Sequence, residues 1–248
     1  QVPSALKSCR FMNWKIGPSP SARCKRSAFL ARVGLKKDPF ADFKINALGT
    51  LNVLEAARKS STKKIIYISS CLVYKELIDS NEKDAVGANK ISGPYGISKL
   101  VGEYYIKEYA KIYGFDYVIL RPTSFYGPGM KKNTIFDIIE GTLNKDKIQL
   151  FHHIDSQFDF IYIEDMVEAL IMSLEWNNDI INIGAGESVS LRKLYNVVKA
   201  IMGREVPLEY AGELVKISVN NRKLRSLGWH QKYSLEEGLK KTIDKWEG

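Results

Sequence analysis

Apolar residues recur at Phe43, Ala47, Leu51, Leu54 and Ala57 within FADFKINALGTLNVLEAARKSS, close to the 3.6-residue period of an amphipathic helix. The spacing predicts a helix that buries this stripe. KKIIYISS follows directly, short, β-branched and apolar at successive positions, as expected of a strand buried on both faces of a parallel sheet. A loop rich in turn formers, LIDSNEKDAVGANKISGP, leads into YGISKLVGEYYIKEYAKIYG. There Ile97, Leu100, Val101, Tyr104 and Ile112 predict the inward face of a second helix, ended by Gly114. DYVILRP reads as the next strand. Strand, loop, helix and strand in this alternation predict an α/β fold, a parallel sheet covered by helices. Beyond Pro128 the helical stretches NTIFDIIEGTLN, IEDMVEALIMSLE and SLRKLYNVVKAIMG are separated by short strands such as IINIG. The expected organisation is an irregular tail over residues 1–27, a sheet domain over 28–126, and a smaller lobe over 127–248 interleaved with the last sheet strands.

Composition adds little that is unusual: 45% hydrophobic and 26% charged residues are ordinary globular usage. No apolar run approaches the roughly 20 residues that span a bilayer, and no signal peptide is visible, so no membrane partner and a cytoplasmic location are the expectations. Cys9, Cys24 and Cys71 are odd in number, which points to reduced thiols, and His152 and His153 are adjacent, a spacing unsuited to a metal, so no metal site is expected. The net charge of +9 would favour polyanions or phosphate-bearing small molecules. Its lysines are scattered among acids, as in SLEEGLKKTIDKW, which fits a solvated surface better than a nucleic-acid interface.

Two features carry chemistry. Tyr95 and Lys99 stand at i and i+4 at a helix start, on one face, where an ammonium would favour the phenolate. Tyrosine ionises near 10, so a basic role at neutral pH needs several such aids. Spacing alone equally describes a packed aromatic and a solvated lysine. Ser69 and Ser70 close the strand KKIIYISS, at the carboxyl end where open α/β sheets bind ligands. They could also simply cap a turn.

The succession DPFADFKINALGTLNVLEAAR, IIYISSCLVY, GPYGISKLVGE, LRPTSFYGPG, FDFIYIEDMVEAL, INIGAGESVSL and LGW with SLEEGL resembles the extended short-chain dehydrogenase/reductases, specifically the NAD-dependent nucleotide-sugar epimerases and dehydratases. The resemblance implies a Rossmann-like, doubly wound parallel sheet with an interleaved C-terminal substrate lobe, NAD as cofactor and a nucleotide-diphosphate sugar as substrate. It implies Tyr95 as catalytic base, Lys99 as the residue that lowers its pKa and holds the nicotinamide ribose, and Ser70 as the catalytic hydroxyl. Ser69 and Asn46 would lie beside the cofactor, and Pro122 would open the segment that meets the carboxamide and the sugar phosphate. Ser70 and Ser124 would face the substrate, the latter where relatives usually carry an asparagine. A homodimer through the two Tyr-rich helices is a further expectation.

Departures from the family pattern shape the rest. Relatives open on a strand, a Gly-x-x-Gly-x-x-Gly turn and a helix, which let the pyrophosphate approach backbone N–H groups. No such turn occurs here, and the chain begins with Gln1, so an N-terminally truncated sheet without the adenosine half of the cofactor site is expected. Cys71 and Leu72 replace the Asp-Glu pair of dehydratases, which leaves epimerisation or simple reduction. Cys71 reads as a small buried thiol. Phe158 stands where relatives carry an arginine that contacts the diphosphate. A non-catalytic, basic RNA- or protein-binding descendant is the competing expectation.

Overall fold

The computed structural model describes residues 27–30, 38–60 and 62–246. β1 (Ser27–Leu30) precedes a continuous helical rod made of α1 (Pro39–Asp42), a π-helical turn (Phe43–Leu48) and α2 (Gly49–Arg58). Next come β2 (Lys64–Ile68), a 3₁₀ turn (Cys71–Val73), α3 (Gly93–Tyr113) and β3 (Asp116–Pro122). β4 (Ser124–Tyr126), α4 (Thr134–Asn144), β5 (Ile148–Leu150), β6 (Gln157–Phe158), β7 (Phe160–Tyr162), α5 (Ile163–Met172) and β8 (Asp179–Ile183) follow. The chain ends with β9 (Val189–Ser190), α6 (Leu191–Met202), β10 (Leu208–Tyr210), β11 (Lys216–Ile217), α7 (Arg222–Ser226) and α8 (Leu235–Asp244).

β1, β2, β3 and β8 form one parallel sheet in that order. Successive side chains of a strand point to opposite faces, and the sheet is covered on both. Ile65, Tyr67 and Ile119 pack beneath Leu54 and Ala57 of α2 and Ile106 of α3. Ile66, Val118, Leu120, Ile181 and Ile183 pack on the other face against Met166 and Ala169 of α5, Leu224 of α7 and Trp229. The result is the doubly wound α/β architecture the sequence predicts. β8 comes late in the chain yet completes this sheet, so the C-terminal half contributes to both units. A third core, including Ile135, Ile138, Phe158, Leu194 and Val198, holds α4 and α6 with the short strands β5–β10, β4–β7 and β11–β6–β9.

Two expectations are corrected. The first helix is not regular: over Phe43–Leu48 it widens to a π turn, with the Gly49 N–H bonded to the Lys44 carbonyl, five residues back. An extra residue in the turn breaks the 3.6-residue stripe. Ala47, Leu54 and Ala57 are buried, Leu51 is half-buried and Phe43 is 56% exposed. In α3 the inward face is Tyr95, Ser98, Lys99, Leu100, Gly102, Glu103 and Ile106, whereas Ile97, Tyr104 and Ile112 are exposed, the last at 64%, and Val101 is half-buried. Of the five residues expected inside, Leu100 alone is fully buried. Gly114 does end α3, in the left-handed region at φ 71°, with its N–H on the Ala110 carbonyl. Of the expected tail over residues 1–27, residues 1–26 lie outside the described residues, as does the segment that would show the expected shortening of the sheet, whereas Ser27 is the first residue of β1 and so belongs to the sheet. Among the described residues, no helix is long and apolar enough to cross a membrane.

Candidate active site

Parallel strands deliver their carboxyl ends to one edge of the sheet, where the following loops can build a site. At that edge Ser69 extends the ladder, its N–H bonded to the Leu120 carbonyl of β3 at 2.7 Å. Ser70 remains extended, and its Oγ accepts from the Leu72 N–H at 3.2 Å, capping the 3₁₀ turn. α3 begins against this turn. A Cβ built on Gly96 would meet the Leu72 carbonyl oxygen and Ser92 Oγ at 2.5 Å, so a side chain there would push the helix away. The close approach sets the phenol of Tyr95 beside the hydroxyl of Ser70.

Tyr95 and Lys99, one turn apart, are both buried. Burial pushes the Tyr95 phenol well above its ordinary value, the adjacent Ser70 hydroxyl opposes that, and the neighbouring Cys71 and Asp42 reinforce it. The Lys99 ammonium donates to the Ile68 carbonyl at 2.9 Å and lies 5.2 Å from the centre of the Tyr67 ring. Burial pulls it down to about 8, against the opposing charge of Asp42. Near neutrality it stays mostly protonated, an unusually costly cation held at the strand end.

Asn46 sits on the π turn, buried against α3. Its Nδ2 donates to Ser98 Oγ at 3.0 Å, and Ser98 Oγ donates to the Tyr95 carbonyl at 2.8 Å. Thr50 Oγ1 in turn donates to the Asn46 carbonyl at 2.5 Å. Asn46 is thereby tied to the helix that carries Tyr95. Pro122 ends β3 in register with Ile183, so it stands at the same edge as the two serines. Ser124 is apart from this group, exposed on β4, whose partner is β7.

Phe158 is buried between His152 and Phe160, with ring centres at 5.4 and 5.9 Å, so an apolar contact fills the place of the arginine expected from the resemblance. Cys71 is buried next to Ser70, and burial raises its thiol to about 12. A thiol so protected from ionisation is a poor nucleophile.

Sequence reasoning passed over Asp42, Glu103 and Arg121. Glu103 lies one further turn along the Tyr95–Lys99 face, an i+4 spacing that was visible. Its carboxylate accepts from Ser69 Oγ at 2.6 Å and takes a two-pronged bond from Arg121, Nε at 2.9 Å and Nη2 at 2.6 Å. Burial works against the charge on Arg121, yet the bonds to Glu103 hold its pKa above the ordinary value. The guanidinium also lies over Tyr74, 4.7 Å from the ring centre, and the Tyr74 hydroxyl donates to Asn182 Oδ1 at 2.7 Å.

Comparison with known proteins agrees with this architecture. Residues 30–184 match the NAD dependent epimerase/dehydratase family. The chain is 36% identical over 221 residues to a putative UDP-glucose 4-epimerase of Methanocaldococcus jannaschii, covering 84% of this chain and 71% of the relative. Among solved structures it is similar to the UDP-glucose 4-epimerase of Thermotoga maritima with UDP-glucose (TM-score 0.80, 27% identity, 88% of this chain and 76% of that one). It is also similar to the UDP-glucose 4-epimerase of Thermus thermophilus in complex with NAD (TM-score 0.75, 27% identity, 84% and 72%). With a family match over more than half its length and a helix face and strand end arranged as above, the chain belongs to the NAD-dependent epimerase/dehydratase family.

Proposed function

We propose that this protein is an NAD-dependent epimerase that inverts C4 of a nucleotide-diphosphate sugar. The observation that carries the reading is the placement of the Tyr95 phenol beside Ser70 at the carboxyl end of β2, with the Lys99 ammonium, bonded to the Ile68 carbonyl, one helical turn away. The donor set fits the nicotinamide ribose half of NAD: an ammonium and a phenol for ribose hydroxyls, with Asn46 and Ser69 alongside. When bound, NAD supplies a reversible hydride acceptor for the sugar carbon. The chain's own work is proton transfer. Tyr95 takes the proton of the sugar hydroxyl as the carbonyl forms and returns it when the alcohol is restored on the opposite face. A phenolate in so buried a place needs both a hydrogen bond and a positive charge, and Ser70 and Lys99 are the groups that provide them. Pro122 and Ser124 are assigned to the cofactor carboxamide and the substrate side, and residues 127–248 chiefly to the substrate lobe.

The competing reading of a basic nucleic-acid binder gains no support from where the charge lies. Residues 1–26 hold six basic and no acidic residues, whereas residues 27–248 hold 31 basic and 28 acidic ones, so the sheet and lobe are nearly balanced. The proposal includes a homodimer. Ile97, Tyr104, Tyr105 and Ile112 on α3 and Phe43, Ile45 and Leu48 on the adjoining rod are exposed, the kind of apolar surface a second copy would cover. It also places the protein in the cytoplasm, a reading for which the free, buried thiol of Cys71 is support.

The test is to incubate the purified protein with NAD and, in turn, UDP-glucose, UDP-galactose and UDP-glucuronate, following C4 configuration by proton NMR. Interconversion of at least one epimer pair without net consumption of NAD is expected. Absence of inversion with all three would overturn the reading, and net oxidation of reduced cofactor by a keto-sugar would replace it with a reductase.

A further inference from the structure

We propose that Glu103, seated on its ion pair with Arg121, is a positioning residue that holds the strand-end serines in the geometry the base requires. This inference rests on the proposed epimerase reading for its functional meaning and on the geometry alone for its physical content.

Three residues of one face of α3 each seize a different point of the same backbone corner. Tyr95 lies beside Ser70, Lys99 donates to the carbonyl of Ile68, and Glu103 accepts from the hydroxyl of Ser69 between them. The first two have chemical duties in the proposed reaction. Glu103 does not face substrate or cofactor, because both its oxygens are engaged by Ser69 and Arg121. It and the Arg121 side chain are almost wholly buried, 0% and 2% exposed. A buried ion pair is a weak device for stability alone, since desolvating both charges offsets much of their attraction. It is an effective way to fix a carboxylate rigidly, and a rigid charged acceptor at 2.6 Å from a hydroxyl constrains that hydroxyl closely. The corner it constrains is short. Ser70 follows Ser69 directly, and its Oγ accepts from the Leu72 N–H and lies beside the Tyr95 phenol. Rotation at Ser69 would therefore move the partner of the phenol.

Arg121 extends the anchorage. It donates to the Glu82 carbonyl at 3.3 Å and lies over Tyr74, which bonds to Asn182 of β8. Glu82 Oε1 accepts from the Asn182 N–H at 3.0 Å. The grip on Ser69 is thus backed by the loop after the 3₁₀ turn and by two neighbouring strands.

Cys71 offers a reporter that needs neither cofactor nor substrate. It is the next residue after Ser70 and is buried, so a thiol reagent reaches it only when the corner opens. In a Cys9→Ser/Cys24→Ser parent, Ser69→Ala removes the hydroxyl while leaving the ion pair intact. We expect Cys71 labelling to accelerate by about tenfold, since a bond to a charged group is lost. We expect kcat for epimerisation to fall about 10- to 100-fold through misplacement of Ser70, with KM for the sugar nucleotide changed by less than roughly twofold. Glu103→Gln should do the same, and the double variant should be no worse than the more affected single one, because both remove one link. If Glu103→Gln fails to fold, Ser69→Ala decides. Labelling and kcat both equal to the parent would overturn the proposal. So would a fall in kcat with unchanged labelling, which would make Ser69 a direct contact of the cofactor, or faster labelling with unchanged kcat. A parent that turns over no sugar nucleotide would reject the epimerase reading, and the grip of Glu103 would then stand or fall on the labelling alone.

Discussion

Helix α6 buries Leu191, Leu194, Tyr195 and Val198 and is capped by Ser190, whose Oγ accepts from the Lys193 N–H at 3.1 Å. Helix α3 turns Tyr95, Ser98, Lys99 and Glu103 inward and leaves Ile97, Tyr104, Tyr105 and Ile112 outside. One is amphipathic in the ordinary sense, the other nearly inverted. The difference teaches what each helix is for. α6 is held by the hydrophobic effect, and its sequence needs to satisfy packing alone. α3 is held in part by charged and hydrogen-bonded contacts to a strand end, and those contacts are the proposed site. Ile97, Tyr104, Tyr105 and Ile112 are thereby left at the surface, where the proposed second copy would use them, while Leu100 and Ile106 remain inside.

The contrast is broken most sharply at Tyr95. Tyr95→Phe removes a single hydroxyl, so the fold should persist while turnover drops by about 10²- to 10⁴-fold. Comparison of C4 inversion rates at equal folded concentration checks it, and near-normal turnover would end the catalytic assignment. For α6 the reverse is expected. Leu194→Ala should cost about 2–5 kcal/mol in urea unfolding through the cavity it leaves, with KM unchanged in whatever fraction remains folded.

Lys99 ties the contrast to pH. Its amine lies at about 8 in the folded chain against an ordinary 10.5. Between these values the unfolded chain binds more protons than the folded one, so this group makes stability rise with pH across that window and weighs against folding below it. Lys99→Met lacks the effect. Measured without cofactor, the variant's advantage over the natural chain should shrink by roughly 3 kcal/mol between pH 8 and 10.5. A pH-independent difference would show that the ammonium is better solvated than its burial implies. The smallest effect belongs to the outer face. Tyr104→Ser should alter unfolding in dilute solution by no more than about 0.5 kcal/mol, yet lower the apparent mass in light scattering if that face joins two copies.

Much of the sheet was legible. DYVILRP predicts β3 residue for residue, and the three long helical stretches after Pro128 appear as α4, α5 and α6. These segments are held by apolar burial, which is what periodicity reports. α3 was misread for the same reason. Its apolar period predicts Ile97, Leu100, Val101, Tyr104 and Ile112 inside, whereas the face that packs inward carries Ser98, Lys99 and Glu103 alongside Tyr95, Leu100 and Ile106. The resemblance implies Ser70 and Tyr95 in one site, and the structure sets the two side by side at the strand end. Glu103 and Arg121 were not singled out, because one of two glutamates in a lysine- and tyrosine-rich helix and an arginine within an apolar strand give no local sign of finding each other. The packing of Phe158 on His152 was likewise invisible, since it depends on the fold of the lobe.

The π turn that carries Asn46 has an evolutionary consequence. Each residue of an α-helix advances the surface by roughly 100°, so one surplus residue within Phe43–Leu48 re-indexes every side chain on one side of it relative to the other. Loss of any single residue there would relax the rod to regular geometry and rotate α1 against α2, which would carry Asp42 away from Lys99 or Asn46 away from Ser98. Substitutions outside Asn46 in this segment can drift one at a time, whereas its length cannot. Selection on the site should therefore be read there as a constraint on residue number, a form of inheritance that single-site variation leaves untouched.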